Sequence, residues 1–236
     1  MIAFAFWGIP RSFNHSKDSI VQFMKSFNKP YHVYFHTYQI NGTYTNPRNN
    51  EYNVKIDSNV LLSLNPTKFK IDDQDEISKI LDFKKYYTYP DPWNTGYNSV
   101  NNFILASYSK HLVTEMIDST KYKYIIYIRP DCKFNSFYYN DMLNEIDDTT
   151  ILIPKDALYG KYKFNDQFAI TTNKNYKIYG NLFNHLYEYS KNHYMHSETY
   201  IGEMLIIHNI QWKFILLNYE ILRINVNKSR FKLHFI

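Results

Sequence analysis

Short apolar runs and longer amphipathic stretches alternate along the chain, and the change of period between them predicts strands that feed helices. Tyr124 to Ile128 (YIIYI) is five residues of Ile and Tyr without period-two alternation, as in a strand covered on both faces of a sheet. Ile2 to Trp7 (IAFAFW) reads as a second buried strand, Tyr31 to Tyr38 (YHVYFHTY) as the next, and Ile151 to Pro154 (ILIP) as another. Val60 to Leu64, Lys68 to Ile71, the apolar run from Phe168, Trp212 to Leu217 and Glu220 to Val226 add shorter strands. Between them the helical period takes over. Ile20, Phe23, Met24 and Phe27 lie at i, i+3, i+4 and i+7 behind a candidate cap at Ser16, and Val100, Phe103, Ile104, Ser107, Tyr108 and Leu112 carry the same period to about Ile117. Further helices are expected over Gln74 to Leu81 and near Asn140 to Ile146. One long helix runs through Tyr176, Tyr179, Phe183, Leu186 and Tyr187 with Gly180 inside it, and Ser197 caps the last.

The first strand, helix and strand form a unit of the length expected for a right-handed crossover between parallel strands. The fold class that follows is a single α/β domain, residues 1–236, with a mostly parallel, Rossmann-like central sheet flanked by helices. Ligands of such sheets sit beyond the carboxyl ends of the strands, so the polar residues at those ends are the candidates for chemistry. Gly8-Ile9-Pro10-Arg11-Ser12 breaks the first strand and turns backbone N–H groups and Arg11 toward that rim. Arg129-Pro130-Asp131 ends the YIIYI strand; Pro130 has no N–H for the ladder, so the chain leaves the sheet and sets Asp131 just outside it. Asn165-Asp166-Gln167 stands directly before the Phe168 strand, more hydrogen-bonding side chains than a turn requires. Glu198 falls in a helix's first turn, where the positive helix end is expected to lower its pKa and leave Asp166 the better base.

Other polar groups have plainer readings. Asp72, Asp73, Asp75 and Glu76 open a helix rather than bind a divalent ion, because acids favour the positive helix end. His32 and His36 share one strand face and read as structural. Residues 39–57, with Asn41-Gly42 and Asn46-Pro47, read as a surface loop, residues 83–98 as an ordered loop over the site's edge, and the basic tail from Lys228 as loose.

Composition narrows the picture. At 236 residues and 44% hydrophobic content the chain fills one core. The 24 Tyr and 17 Phe accompany many Asn, Ile and Lys, so AT-rich codon usage accounts for much of the aromatic content. A net charge of +5 is scattered and never forms a basic block, which argues against nucleic acid and suits a small phosphate-bearing ligand. Cys132 is the only cysteine, so no intrachain disulfide is possible and a reducing compartment is expected. No apolar run approaches a membrane span, and Met1 leads straight into a strand without a signal peptide, so a soluble, cytoplasmic protein is expected. HExxH, CxxC, GxSxG, EF-hand, GxGxxG and P-loop spacings are all missing.

The order of GIPR after the first strand, His-Thr-Tyr closing another, Ser107 and Lys110 on a helix, then YIRPD, ILIP, NDQFAI and HSE resembles the GT-A-type glycosyltransferases of large DNA viruses and bacterial surface-polysaccharide clusters. The resemblance implies a nucleotide-sugar donor held by the N-terminal half, with a nucleoside diphosphate as product, and a glycan or glycoprotein acceptor met by the C-terminal half. For a viral protein it implies the host-cell cytoplasm or the virion. It assigns the donor to Gly8, Ile9, Pro10, Arg11, Ser107, Lys110, Arg129 and Asp131, catalysis to Asp166 and Glu198, and the acceptor to Asn165, Gln167 and His196. It also implies a divalent cation, Mn2+ or Mg2+, on Asp131, with His208 or His234 as a further ligand. The family signature is Asp-x-Asp, and here Arg129 occupies the first acidic position. Either the ion relies on Asp131, the diphosphate and water, with His208 or His234 as a further ligand, or Arg129 replaces part of the metal's charge and the enzyme is metal-independent; metal dependence is the expectation. A non-catalytic sugar- or protein-binding module on a degenerate fold is the competing class, and a nucleotidyltransferase lacks the second acidic ligand of a two-metal site.

Overall fold

The computed structural model describes residues 1–136 and 140–224. From the amino end the chain forms β1 (Ile2–Trp7), α1 (Phe13–Ser26), β2 (Tyr31–Gln39), the hairpin of β3 (Tyr44–Asn46) and β4 (Glu51–Val54), and β5 (Lys68–Asp73). α2 (Gln74–Leu81) and α3 (Asn98–Glu115) lead to β6 (Tyr124–Ile128), β7 (Cys132–Phe134), β8 (Thr150–Pro154) and β9 (Phe168–Thr172). α4 (Tyr176–Gly180), α5 (Phe183–Ser190) and α6 (Ser197–Ile207) precede β10 (Gln211–Ile215) and β11 (Tyr219–Ile221). Seven strands make one sheet in the order β10, β8, β9, β6, β1, β2, β5, in which β9 alone runs antiparallel to its neighbours.

β1 shows why the buried strands do not alternate. Ala3, Ala5 and Trp7 pack with apolar residues of α3 to α6, while Ile2, Phe4 and Phe6 pack on the other face with Phe13, Ile20 and Phe23 of α1. Both faces are dry, so every position is apolar. The mostly parallel sheet with helices on both faces is the architecture expected from the sequence. Among the described residues no helix is long and apolar enough to cross a membrane.

Several local expectations are corrected. Val60 to Leu64 belongs to a 3-10 helix, Ser58–Leu64, whose buried Leu61 and Leu64 stand at the three-residue period of that helix. The segment expected as a surface loop holds the β3/β4 hairpin, which carries the buried Glu51. Ser16 lies inside α1, which begins after Ser12, and its Oγ donates to the Pro130 carbonyl at 2.7 Å. His196, not Ser197, caps α6, its Nδ1 accepting from the Thr199 N–H at 3.4 Å. The acidic run does open α2: Asp73 accepts from the N–H groups of Asp75 and Glu76. His36 is structural, buried between Ser109 Oγ at 2.7 Å and Asp72 at 3.1 Å, and burial lowers its pKa to about 4. The expected tail from Lys228, His234 and the end of the last strand lie outside the described residues.

The long helix through Gly180 is two helices. A Cβ at Gly180 would lie 2.1 Å from Thr114 Oγ1 and 2.4 Å from Tyr127 OH, so glycine lets α4 close onto α3 and β6. Those two hydroxyls are themselves 3.0 Å apart, and Tyr127 OH donates to the Tyr176 carbonyl. Gly180→Ala therefore splits a packed hydrogen-bond chain, and urea unfolding is expected to show a loss of about 1–3 kcal/mol. Unchanged stability would mean that α4 shifts freely against the sheet.

Candidate active site

Strand direction decides which residues meet. Phe6 pairs with Ile128 and Trp7 with His36, so β1, β2 and β6 end on one rim. β9 runs the other way with Phe168 opposite Ile128, so the residues that precede it arrive at the same rim. Arg129 N–H donates to the Gln167 carbonyl at 3.2 Å and fixes that approach. A cleft of about 410 Å3 opens there.

One wall is built around Asp131, which is 1% exposed. Its Oδ2 accepts from Arg129 Nη2 at 2.6 Å, from Arg11 Nη2 at 3.1 Å and from Arg223 Nη1, and its Oδ1 accepts from Arg129 Nε at 3.1 Å. Arg11 Nη1 donates in addition to Glu51 Oε2 and to Tyr44 OH, both at 3.0 Å. The chain delivers these groups from four places. Pro130 turns Asp131 out of the sheet, the β3/β4 hairpin brings Tyr44 and Glu51, and the loop after β1 brings Arg11. β11 pairs with β7, and the Leu222 N–H donates to the Asp131 carbonyl at 2.9 Å, which sets Arg223 beside the carboxylate. Burial opposes the charge on Asp131, but Arg129, Arg223 and Arg11 outweigh it and hold the carboxyl well below the usual carboxylate range. Burial also lowers Arg223, to about 10, with Asp131 pulling the other way.

The facing wall comes from α3, the start of α6 and the turn before β9. Lys110 is buried with its Nζ over the rings of Trp7, at 4.7 Å, and Tyr179, at 4.3 Å, and it donates to Tyr179 OH at 3.2 Å. Burial lowers its pKa to about 8 against the charge of Asp166, which raises it. Glu198 accepts from Ser197 Oγ at 2.5 Å and lies 3.5 Å from His196 Nδ1. Its pKa is pushed up to about 7, first by burial and then by the charge of Asp166. The expected lowering by the helix end is thus overturned, because desolvation and a neighbouring carboxylate outweigh a helix terminus. His196 is lowered, chiefly by burial. Overhead, Trp93 stacks on His196 with ring centres 5.2 Å apart, and the Arg48 guanidinium lies 5.4 Å from the Trp93 ring. Asp91 fixes that loop by accepting from the N–H groups of Trp93, Thr95 and Tyr97.

Of the sequence candidates, Gly8, Ile9, Arg11, Ser107, Lys110, Arg129, Asp131, Asp166, Gln167, His196 and Glu198 all line the cleft. Three candidates do not. The Pro10 carbonyl starts α1 by accepting from the Phe13 N–H at 3.2 Å. Asn165 is fully buried; it donates to the Asp156 carbonyl and Tyr219 OH and accepts from the Gln167 N–H, so it is a turn former. His208 caps the far end of α6, about 10 Å along the axis beyond Ile201, the last residue of that helix to line the cleft. Gly8 lines the cleft, but its N–H is already given to Ser109 Oγ at 2.8 Å. Sequence reasoning missed Tyr44, Arg48, Glu51 and Arg223. No local signal marks them, since each is an ordinary polar residue in a loop or edge segment.

The donor set does not fit a divalent cation on Asp131 and His208. His208 is at the wrong end of α6, and the Asp131 carboxylate already receives four N–H groups from three guanidiniums. Among the described residues no three His, Cys, Asp or Glu side chains converge as metal ligands.

No family model matches the chain, and no curated protein is similar to it. Among solved structures it is similar to a glycosyltransferase involved in glycosylation of the major capsid of PBCV-1, at 10% identity and a TM-score of 0.45 over 91% of this chain and 82% of that one. The galactosyltransferase LgtC with donor and acceptor sugar analogues gives 10% identity and a TM-score of 0.47 over 90% and 73%. The glycosyltransferase GlyE of Streptococcus pneumoniae gives 10% and 0.46, with 89% of this chain matching 44% of that one. At this level the likeness adds nothing to the case for an activity, which rests on the cleft.

Proposed function

We propose that the chain is a GT-A-type glycosyltransferase that moves a sugar from a nucleotide-sugar donor to a glycan or protein hydroxyl. The observation that carries this reading is the pairing, across one cleft, of a guanidinium wall with the Asp166 and Glu198 carboxylates. A sugar nucleotide needs both. Cleavage leaves negative charge on the departing diphosphate, which fixed cationic donors stabilise. The acceptor hydroxyl needs a proton acceptor whose pKa lies near the working pH, and Glu198 at about 7 meets that requirement. In the step, the acceptor oxygen bonds to the anomeric carbon as the bond to the β-phosphate oxygen breaks. The bonding pair leaves with the nucleoside diphosphate, and the hydroxyl proton passes to Glu198. Asp166 raises the basicity of Glu198 and offers an acceptor for a sugar hydroxyl, while Trp93 presents an aromatic face over the cleft.

Two measurements test the reading. A nucleoside diphosphate or its sugar should raise the melting temperature, by a stabilisation of about 2.7 kcal/mol at one hundred times Kd. One nucleotide sugar in a panel should release its nucleoside diphosphate faster with the protein than without it. Silence of every uridine, guanosine, cytidine and thymidine derivative in both assays would sink the proposal.

A further inference from the structure

Asp131 has the position of a metal anchor and the bonding of something else. A divalent cation bound there would have to displace guanidinium N–H groups from both carboxylate oxygens, and it would sit among three positive charges only a few ångström away, where repulsion is strong. What the cluster does offer is surplus positive charge. Arg11, Arg129 and Arg223 face two carboxylates, Asp131 and Glu51, and all three guanidiniums border the cleft with 11–27% of their side chains exposed. Each guanidinium carries more N–H donors than the two carboxylates use. The Arg11 Nε–H, buried, finds no acceptor among the described residues. Planar forks of this kind match the oxygens of a phosphate two at a time, which a point charge does not.

The geometry points to a pyrophosphate-binding site made of Arg11, Arg129 and Arg223 that works without a divalent cation, with Asp131 as the positioning carboxylate that gathers and aims the three arginines. Glu51 plays the same part for Arg11 from the β3/β4 hairpin. Arg223 closes the set only because β11 returns to β7, so the site is complete only with the chain folded to that point. The inference rests on the nucleotide-sugar reading for the rest of the ligand, and on the cluster alone for its phosphates.

Calorimetric titration of the intact protein with inorganic pyrophosphate, and separately with uridine, guanosine, cytidine and thymidine diphosphates, tests it. Each is run once with EDTA and once with manganese. Pyrophosphate and at least one nucleotide should bind with EDTA present, with Kd changed by less than about threefold when manganese replaces it. Arg223→Ala should weaken both about tenfold, or 1.4 kcal/mol, with Trp fluorescence and the unfolding midpoint confirming that the variant is folded. Binding that appears only with manganese overturns this inference and leaves the glycosyltransferase reading standing. Pyrophosphate binding in EDTA with no nucleotide bound under either condition does the opposite. A folded Arg223→Ala protein that binds pyrophosphate as tightly as the parent also overturns it.

Discussion

Glu198→Gln is expected to lower kcat and kcat/KM together by about 100-fold or more, with donor affinity little changed, because a general base contributes on the order of 100- to 10,000-fold. The pH dependence gives the sharper test. Glu198 accepts a proton only as a carboxylate, so activity should rise with pH through about 7, the value to which burial and Asp166 push it, and level off above. The groups that face Glu198 are Asp166, His196, Ser197 and Arg48. Asp166 raises its pKa, while the Ser197 hydrogen bond and Arg48 lower it. Asp166→Asn removes one raising influence, so the acid limb of the profile should move to lower pH in that variant. A Glu198→Gln enzyme with the parent's acid limb would assign the titration to another group. If only KM rose, Glu198 would be a hydroxyl-binding residue and not the base.

What could be read in the sequence and what could not divide along the range of the interactions involved. The breaks at Gly8-Ile9-Pro10 and Arg129-Pro130 are local: a glycine or proline that ends an apolar run marks the strand's carboxyl end whatever the rest of the chain does. Asp166 and Gln167 are located for the same reason, as polar residues against an apolar run, although the antiparallel direction that brings them to the rim is tertiary. Arg223 reaches Asp131 from 92 residues away through a three-residue strand, and Arg11 reaches Glu51 across 40 residues that include α1, β2 and β3. Nothing in their neighbours announces either contact. The break at Gly180 was hidden because helical periodicity runs on through Phe183 and Leu186; the side chains of Thr114 and Tyr127 set the spacing, and they belong to other elements. The environment of Glu198 escapes the sequence in the same way. Its place at a helix start is a sequence property, whereas its burial beside Asp166 belongs to the folded cleft.

Asp131→Asn is expected to cost about 3 kcal/mol of stability, since removing one partner of a buried ionic cluster leaves the others uncompensated. An amide of the same shape can accept from only part of the set, and three guanidiniums would then face Glu51 alone. The effect should depend on pH in a definite sense. The folded pKa of Asp131 lies below its unfolded value of about 3.9, so its contribution is fully present above that value and is lost as pH falls toward the folded one. Urea midpoints of parent and variant should therefore differ most above about pH 5 and converge in acid. Pyrophosphate separates a positioning carboxylate from a metal ligand. With EDTA present, pyrophosphate should still raise the variant's melting temperature, but less than the parent's, because the three arginines remain and are no longer gathered and aimed by Asp131. A variant with parental stability and no response to pyrophosphate would instead make Asp131 a group that acts on the ligand directly.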